Sequence, residues 1–212
     1  MLKHSLLFAV ILFLTISSNG QTTVDSTAIK INYGSSDKEF LEYLQFMGVD
    51  KYSISVNDTS LKDKIVHIRL REFINGKVTR TEDFVEQEKY SKMLYGFAKK
   101  DTSYEFRVWT RKFTTDSIEI YFRFYRHGVT KKFKIQSSNS YSLRNPITPS
   151  SKVYKTPKNS FSPFLVYSLP YEDPSSPGFY KYCALTADGV TPEKWGEVYK
   201  VPHYILLEIK FD

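Results

Sequence analysis

The sequence predicts an α+β domain made predominantly of antiparallel β-sheet, with two or three short helices and a long Pro/Ser-rich loop region. Three observations carry that prediction. Tyr, Phe, Ile, Val and Thr recur at period two between Lys51 and Ile135, the spacing that sends alternate side chains of a strand to one face. Asn75-Gly76 separates two such runs, and both residues tolerate the positive φ that a two-residue hairpin turn requires. Seven of the nine prolines (Pro146, Pro149, Pro157, Pro163, Pro170, Pro174 and Pro177) fall between Gln136 and Gly178 among many serines, where regular structure should be sparse.

The chain opens with Met1-Leu2-Lys3-His4, an apolar run from Leu6 to Ile16 broken only by Thr15, and then Ser17-Ser18-Asn19-Gly20-Gln21. This is the three-part form of a secretory leader, with Ser18 and Gly20 small enough for the positions a signal peptidase inspects. Residues 1–20 are therefore expected to be a signal peptide, and residues 21–212 a single globular domain, with a loop-rich wrap over about 137–178. The apolar run falls short of the ~20 residues a spanning helix needs, so no transmembrane anchor is expected after cleavage. The expected location is periplasmic, or at the cell surface and beyond.

Of the 212 residues the leader holds only Lys3 among Lys, Arg, Asp and Glu, so cleavage lowers the net charge from +7 to +6. That mild basicity favours acidic partners through long-range attraction. Cys183 is the one cysteine, which excludes an intramolecular disulfide and leaves the core to hold by packing. Its neighbours Tyr182 and Ala184 suggest a buried, inert thiol.

Ser36-Asp37-Lys38-Glu39 has the form of a capping box, and Phe40, Tyr43, Leu44 and Met47 follow at helical spacing before Gly48. The spacing predicts a short helix over 37–47 whose aromatic stripe faces the core. Ile65–Ile74 should fold back on Lys77–Phe84 about Asn75-Gly76, with Arg71 facing Arg80 and Arg69 facing Glu82. Tyr90, Met93, Leu94 and Phe97 suggest a second helix. Toward the C-terminus, Phe179–Leu185 reads as a strand. Thr191-Pro192-Glu193 reads as a helix start whose Trp195, Val198 and Tyr199 share a face, and His203–Phe211 as a closing strand.

Register can be worked out for three neighbouring runs. A slip of one residue would turn a whole apolar set into water. Tyr104, Phe106 and Val108 must therefore face Ile118, Ile120, Phe122 and Phe124 even to even. A Thr114-Thr115-Asp116 loop puts Val108 opposite Phe122 and Phe106 opposite Phe124. A turn at His127-Gly128 then pairs Phe122 with Phe133 and Ile120 with Ile135. On the opposite face this register lines up Arg107, Arg123 and Lys132, with Trp109, Tyr121 and Lys134 as the next row and Arg111 facing Glu119 beyond.

A row of three cations is not what sheet energetics alone selects, because like charges directly opposite cost stability. Arg107, Trp109, Tyr121, Arg123, Lys132 and Lys134 are accordingly the candidate ligand-binding residues. Guanidinium and ammonium groups suit sulfate, phosphate or uronate, and ring faces suit sugars. The competing reading is that Arg and Lys stems pack along the rings and merely keep a sheet soluble. The expected partner is an acidic glycan, another polyanion or a cell-envelope component; nucleic acid is not expected.

No nucleophile, base and orienter stand at recognisable spacing. His67, His127 and His203 are scattered and read as structural, and the carboxylate pairs lie in polar segments. No catalytic residue, metal site or cofactor is expected, and a non-enzymatic binding or accessory role is preferred. The alternative is a periplasmic hydrolase or other enzyme with a site assembled over long range, for which a deep cleft lined by carboxylates or His would speak. Asn57-Asp58-Thr59 matches the N-glycosylation acceptor pattern.

The leader ending before Gln21, the Lys-, Tyr- and Phe-rich body and the segment Glu193-Lys194-Trp195-Gly196 to Val201-Pro202-His203-Tyr204 before the last strand resemble the uncharacterised small exported proteins of Bacteroidetes-type bacteria. That resemblance runs along the whole chain in style and implies a periplasmic or surface location in a Gram-negative cell. It carries no activity with it.

Overall fold

Period-two alternation builds two antiparallel sheets that close on one another. The structure, a computed structural model, describes residues 26–61, 65–83, 103–124, 127–137, 140–146, 153–182 and 189–211. The predicted leader, the helix expected around Tyr90–Phe97 and Cys183 lie outside the described residues. The first sheet has the order β7-β6-β5-β2-β1-β9: β1 (Ser26–Tyr33), β2 (Val49–Asn57), β5 (Ser103–Lys112), β6 (Ser117–Arg123), β7 (Gly128–Lys134) and β9 (Val153–Pro157). The second has the order β4-β3-β13-β10-β8: β3 (Val66–Ile74), β4 (Lys77–Asp83), β8 (Ser142–Arg144), β10 (Ser162–Ser168) and β13 (His203–Phe211). A small ribbon of β11 (Tyr171–Glu172) and β12 (Tyr180–Lys181) stands beside them. Helix is limited to α1 (Lys38–Phe46), α2 (Trp195–Val198) and two 3-10 turns among the described residues.

The core is the layer between the sheets. Ile29, Ile54, Phe106, Val108, Ile120 and Phe122 of the first sheet meet Ile68, Leu70, Leu165, Ile205, Leu207 and Ile209 of the second in one buried cluster. Phe106 and Phe164 touch across it edge to face, with ring centroids 5.8 Å apart, the arrangement that aromatic quadrupoles favour. β13 is buried on both faces. Its Tyr204 and Leu206 turn outward to a second cluster with Phe73, Val166, Tyr171, Trp195 and Val201. The tryptophan of α2 thus seals the outer side of the second sheet at one end.

The Pro/Ser-rich segment contains more strand than its composition announces. β10, the partner of both β13 and β8, lies inside it. Proline is tolerated there because of where it falls: Pro163 sits at a register shift near the start of β10, Pro157 ends the edge strand β9 and Pro170 follows β10. None of these positions costs a central ladder bond.

The β3–β4 hairpin turns at Asn75-Gly76, both with positive φ (51° and 76°). The expected facing of Arg71 with Arg80, and of Arg69 with Glu82, is corrected by a bulge. Ile74 and Phe73 pair with Lys77 and Val78, after which the register shifts so that Glu72 faces Arg80, Arg71 faces Thr81 and Arg69 faces Asp83. The extra residue of a bulge removes the like-charge pair and sets Arg80 against a carboxylate. At the C-terminal end Trp195 is fully buried while Val198 is exposed, so the face they were expected to share is split by the shortness of α2.

One edge of each sheet, β7 and β4, is joined to the other across the sandwich. Lys131 of β7 reaches Glu82 of β4 at 2.7 Å, and Arg80 donates to the Lys132 carbonyl at 3.3 Å while lying over the Phe133 ring. Charged side chains pointing inward along an edge strand also discourage pairing with another chain.

His203 lies at the inner end of the sandwich, fully buried. Its Nε2 is 3.0 Å from Glu72 Oε1 and its Nδ1 is 2.5 Å from the Tyr141 hydroxyl. Burial holds the ring below the usual imidazole pKa, against the pull of Glu72. In the neutral ring the Tyr141 hydroxyl donates to Nδ1 and the Nε2 proton is given to Glu72.

Two outcomes follow from this packing. A Cβ on Gly196 would lie 2.3 Å from the Gly76 Cα, a backbone contact that cannot yield cheaply, so Gly196→Ala should lose about 1–3 kcal/mol in a denaturant titration. An unchanged midpoint would refute the close packing of α2 on the hairpin. The unfolded chain, unlike the folded one, protonates residue 203 as pH falls below ~6.5. Stability should therefore decline on acidification from pH 7 through the lowered folded pKa, and His203→Gln should flatten that slope. Parallel slopes for the two proteins would contradict it.

Candidate ligand-binding cleft

The inner face of the first sheet is consumed by the core, so its chemistry stands on the outer face. There β5 and β6 pair in the predicted register: Val108 faces Phe122, Arg107 faces Arg123, Trp109 faces Tyr121 and Arg111 faces Glu119. β2 extends the rows, placing Lys51 beside Trp109, Ser53 beside Arg107 and Val49 beside Arg111. Arg107 and Arg111 each sit 3.3 Å from a carboxylate, Glu105 and Glu119 respectively.

β7 is displaced by four residues from the expected register. Phe122 faces Val129 instead of Phe133, Phe133 faces Ile118, Lys132 faces Glu119 and Lys134 faces Ser117. The row of three cations is thereby corrected to Arg107, Arg123 and Gly128, and Lys134 leaves the row of Trp109 and Tyr121, where Thr130 takes its place. Two features select this register. The turn closes early, the Phe124 N–H donating to the His127 carbonyl at 2.9 Å. The end of the Tyr121 ring lies against residue 128, where an added Cβ would crowd its hydroxyl and push the ring aside, so glycine lets the ring rest there. Because the displacement is even, Lys132 and Lys134 keep the outer face, and opposite charges now meet at Lys132–Glu119–Arg111.

α1 forms where predicted but starts one residue later: Asp37, not Ser36 of the capping box, is its N-cap, accepting from the Phe40 N–H at 3.2 Å, and the Gly48 N–H closes the last turn on the Gln45 carbonyl. Its stripe does not enter the core, however. Leu44 alone is buried; Phe40, Tyr43, Phe46 and Met47 are 37, 57, 88 and 50 % exposed. The second sheet already fills the inner face, so α1 leans on the outer one. Phe40 meets the Trp109 ring edge-on at 6.3 Å, and the Lys51 ammonium lies 5.5 Å from the Phe40 ring and 5.3 Å from that of Trp109.

Between α1 and the strands lies a cleft of about 410 Å³. One wall is Phe40, Tyr43, Leu44 and Met47, with Val49 at its foot; the floor is Trp109, Tyr121, Thr130, Arg111 and Glu119. The volume is that of a small-molecule site, and the few polar groups on an apolar lining are typical of one. Burial, and then the neighbouring Arg107, hold Lys51 below the usual lysine pKa. The Trp109 indole N–H is buried with no acceptor among the described residues, a donor for which a bound acceptor would compensate.

Of the six residues singled out in the sequence, Trp109 and Tyr121 line the cleft, Arg107 and Arg123 occupy the adjoining row, Lys132 stands behind Glu119, and Lys134 lies beyond. The residues that sequence reasoning missed are Phe40, Tyr43, Met47 and Lys51. A helical stripe reads the same whether it faces a core or half-covers a sheet. The other alternating arginines are committed elsewhere: Arg69 and Arg71 both hold the buried Glu208 at 2.8 Å, and Arg71 also holds Glu193 at 3.0 Å.

The second gathering of titratable groups, Tyr141, His203 and Glu72, is enclosed. Burial pushes the Tyr141 hydroxyl up to about 12, which keeps its proton in place, and no three His, Cys, Asp or Glu side chains converge as metal ligands among the described residues. No helix among them is long and apolar enough to cross a membrane. In comparisons with known proteins no family model matches the chain, and no curated protein or solved structure is significantly similar to it.

Proposed function

We propose that the chain is an exported, non-enzymatic binding protein of the periplasm or cell surface, and that its cleft holds an acidic sugar unit of a cell-envelope glycan. The observation that carries this reading is the juxtaposition of Trp109 and Tyr121 with the exposed rings of α1 around one cleft. Flat aromatic faces stack on the apolar side of a sugar ring. Lys51, Arg107, Arg111, Arg123 and Lys132 surround that floor against the two carboxylates Glu105 and Glu119, an excess of positive charge that favours a carboxylate or sulfate.

The corrected register narrows the ligand. A continuous cationic row would suit a polyanion lying along the sheet. Alternation of Arg111, Glu119 and Lys132 suits instead a single charged unit whose hydroxyls find both donors and acceptors. A binding role is preferred to hydrolysis because the lining carries one carboxylate, Glu119, held by Arg111, whereas glycoside hydrolysis ordinarily uses a pair. The leader of residues 1–20 and the resemblance to small exported proteins of Bacteroidetes-type bacteria support the location.

Tryptophan fluorescence tests this directly, since Trp195 is fully buried and Trp109 lines the cleft. Titration with oligogalacturonate or glucuronate should change the emission. Measured by calorimetry, because Trp109→Ala removes the reporting indole, binding should weaken tenfold or more in Trp109→Ala and about three- to tenfold in the double variant Arg107→Ala, Arg123→Ala, with neutral oligosaccharides binding less well. Equal affinity for acidic and neutral sugars, or no loss in either variant, would overturn the reading.

A further inference from the structure

We infer that the ligand of this cleft is an acidic saccharide carrying an apolar chain, the chemistry of an acidic glycolipid, with the sugar on the sheet and the chain along α1. This rests on the reading of the cleft as an acidic-sugar site and extends it to the side of the ligand that faces the helix.

The two walls differ in kind. The floor offers Arg111, Glu119, Tyr121 and Thr130, groups that donate to or accept from a hydroxylated, charged ring. The α1 wall offers the apolar faces of Phe40, Leu44 and Met47, and Tyr43 is its one side chain with a polar group. A sugar can rest an apolar face on a ring of this wall, but hydroxyls turned toward it find few hydrogen-bond partners. A hydrocarbon chain has no such requirement.

The apolar strip continues past the cleft. Met47 is 50 % exposed and Phe46, at the end of α1, is 88 % exposed, so a chain leaving the cleft along the helix finds further apolar surface. Large exposed apolar side chains clustered at one site mark a place of contact. Leu44 is the one buried residue of α1, so packing into the core does not account for these exposed side chains. Charge complementarity fixes the polar end: Lys51 stands at the Phe40–Trp109 contact and Arg111 on the floor. An anionic headgroup placed on the strands therefore points its tail toward α1. A neutral lipid would give the Lys51 ammonium no anionic partner, and a fatty acid would bring no hydroxyls to Thr130 and Tyr121 on the floor.

The test compares four probes by calorimetry on the purified protein, each below its micelle-forming concentration: glucuronate, octyl glucuronide, octyl glucoside and octanoate. Octyl glucuronide should bind at least tenfold more tightly than glucuronate, since each buried methylene contributes about fourfold, and more tightly than octyl glucoside or octanoate. The paired substitution Tyr43→Ser, Met47→Ser, on exposed positions, should bring the ratio of octyl glucuronide affinity to glucuronate affinity close to one, in a variant whose circular dichroism matches that of the parent.

Glucuronate and octyl glucuronide binding equally would overturn the inference and leave the acidic-sugar reading standing. Octanoate binding as tightly as octyl glucuronide would overturn both, as would an absence of binding by all four. A gain that survives the paired substitution would place the chain away from α1 and also overturn the inference.

Discussion

A strand gives alternate side chains to opposite faces, and in β5 and β6 one of those faces is filled with Phe106, Val108, Ile118, Ile120 and Phe122, all at most 1 % exposed. Turning that set into water by an odd slip would forfeit several side chains of burial at roughly 1.5–3 kcal/mol each. The pairing is therefore locked in parity, and the locked parity puts Arg107, Trp109, Arg111, Glu119, Tyr121 and Arg123 on the outer face. No favourable contact among the outer residues is needed to hold them there. The core does it, which leaves them available for a ligand.

The second sheet contributes by occupation. It fills the inner face so completely that α1, amphipathic and rich in aromatics, has only the outer surface to lean on. The cleft is the gap left by a helix anchored through Leu44 against a sheet whose Trp109 and Tyr121 stand up from it. Elsewhere several charged groups are paired within the sandwich: Glu208 takes Arg69 and Arg71, Lys131 takes Glu82, and His203 takes Glu72 and Tyr141. The rim of the cleft holds more cations than carboxylates, Lys51, Arg107, Arg111, Arg123 and Lys132 against Glu105 and Glu119.

Much of this was legible in the sequence, and the parts that were not share physical causes. The β3–β4 turn and the β5–β6 register are set by local chemistry, Asn75-Gly76 and even-to-even apolar matching, while at α1 the capping box places the helix but Asp37 takes the cap in place of Ser36. β7 was misplaced because Gly128-Val129-Thr130-Lys131-Lys132-Phe133-Lys134 alternates acceptably at any even offset, and the deciding contact, the Tyr121 ring over Gly128, lies between strands. The hairpin bulge at Glu72/Phe73 was hidden for a similar reason, since an extra residue leaves no mark in composition. β1 and β10 were not singled out as strands: β1 follows a polar stretch, and β10 lies among prolines whose harmlessness depends on their place in the ladder. The helical stripe of α1 was assigned to the core because burial statistics favour it, and only the occupancy of the inner face by another sheet decides otherwise.

The most direct measurement follows the indole ¹⁵N–¹H resonance of Trp109 while glucuronate is added to isotope-labelled protein. It should shift together with amides of α1 and of the β5–β6 pair, with the resonance of the buried Trp195 unmoved. Shifts confined to the outer side of the second sheet around Arg69, Glu208 and Lys210, or a saturable shift that spares Trp109, would contradict the placement of the site on the face that the β5–β6 register exposes.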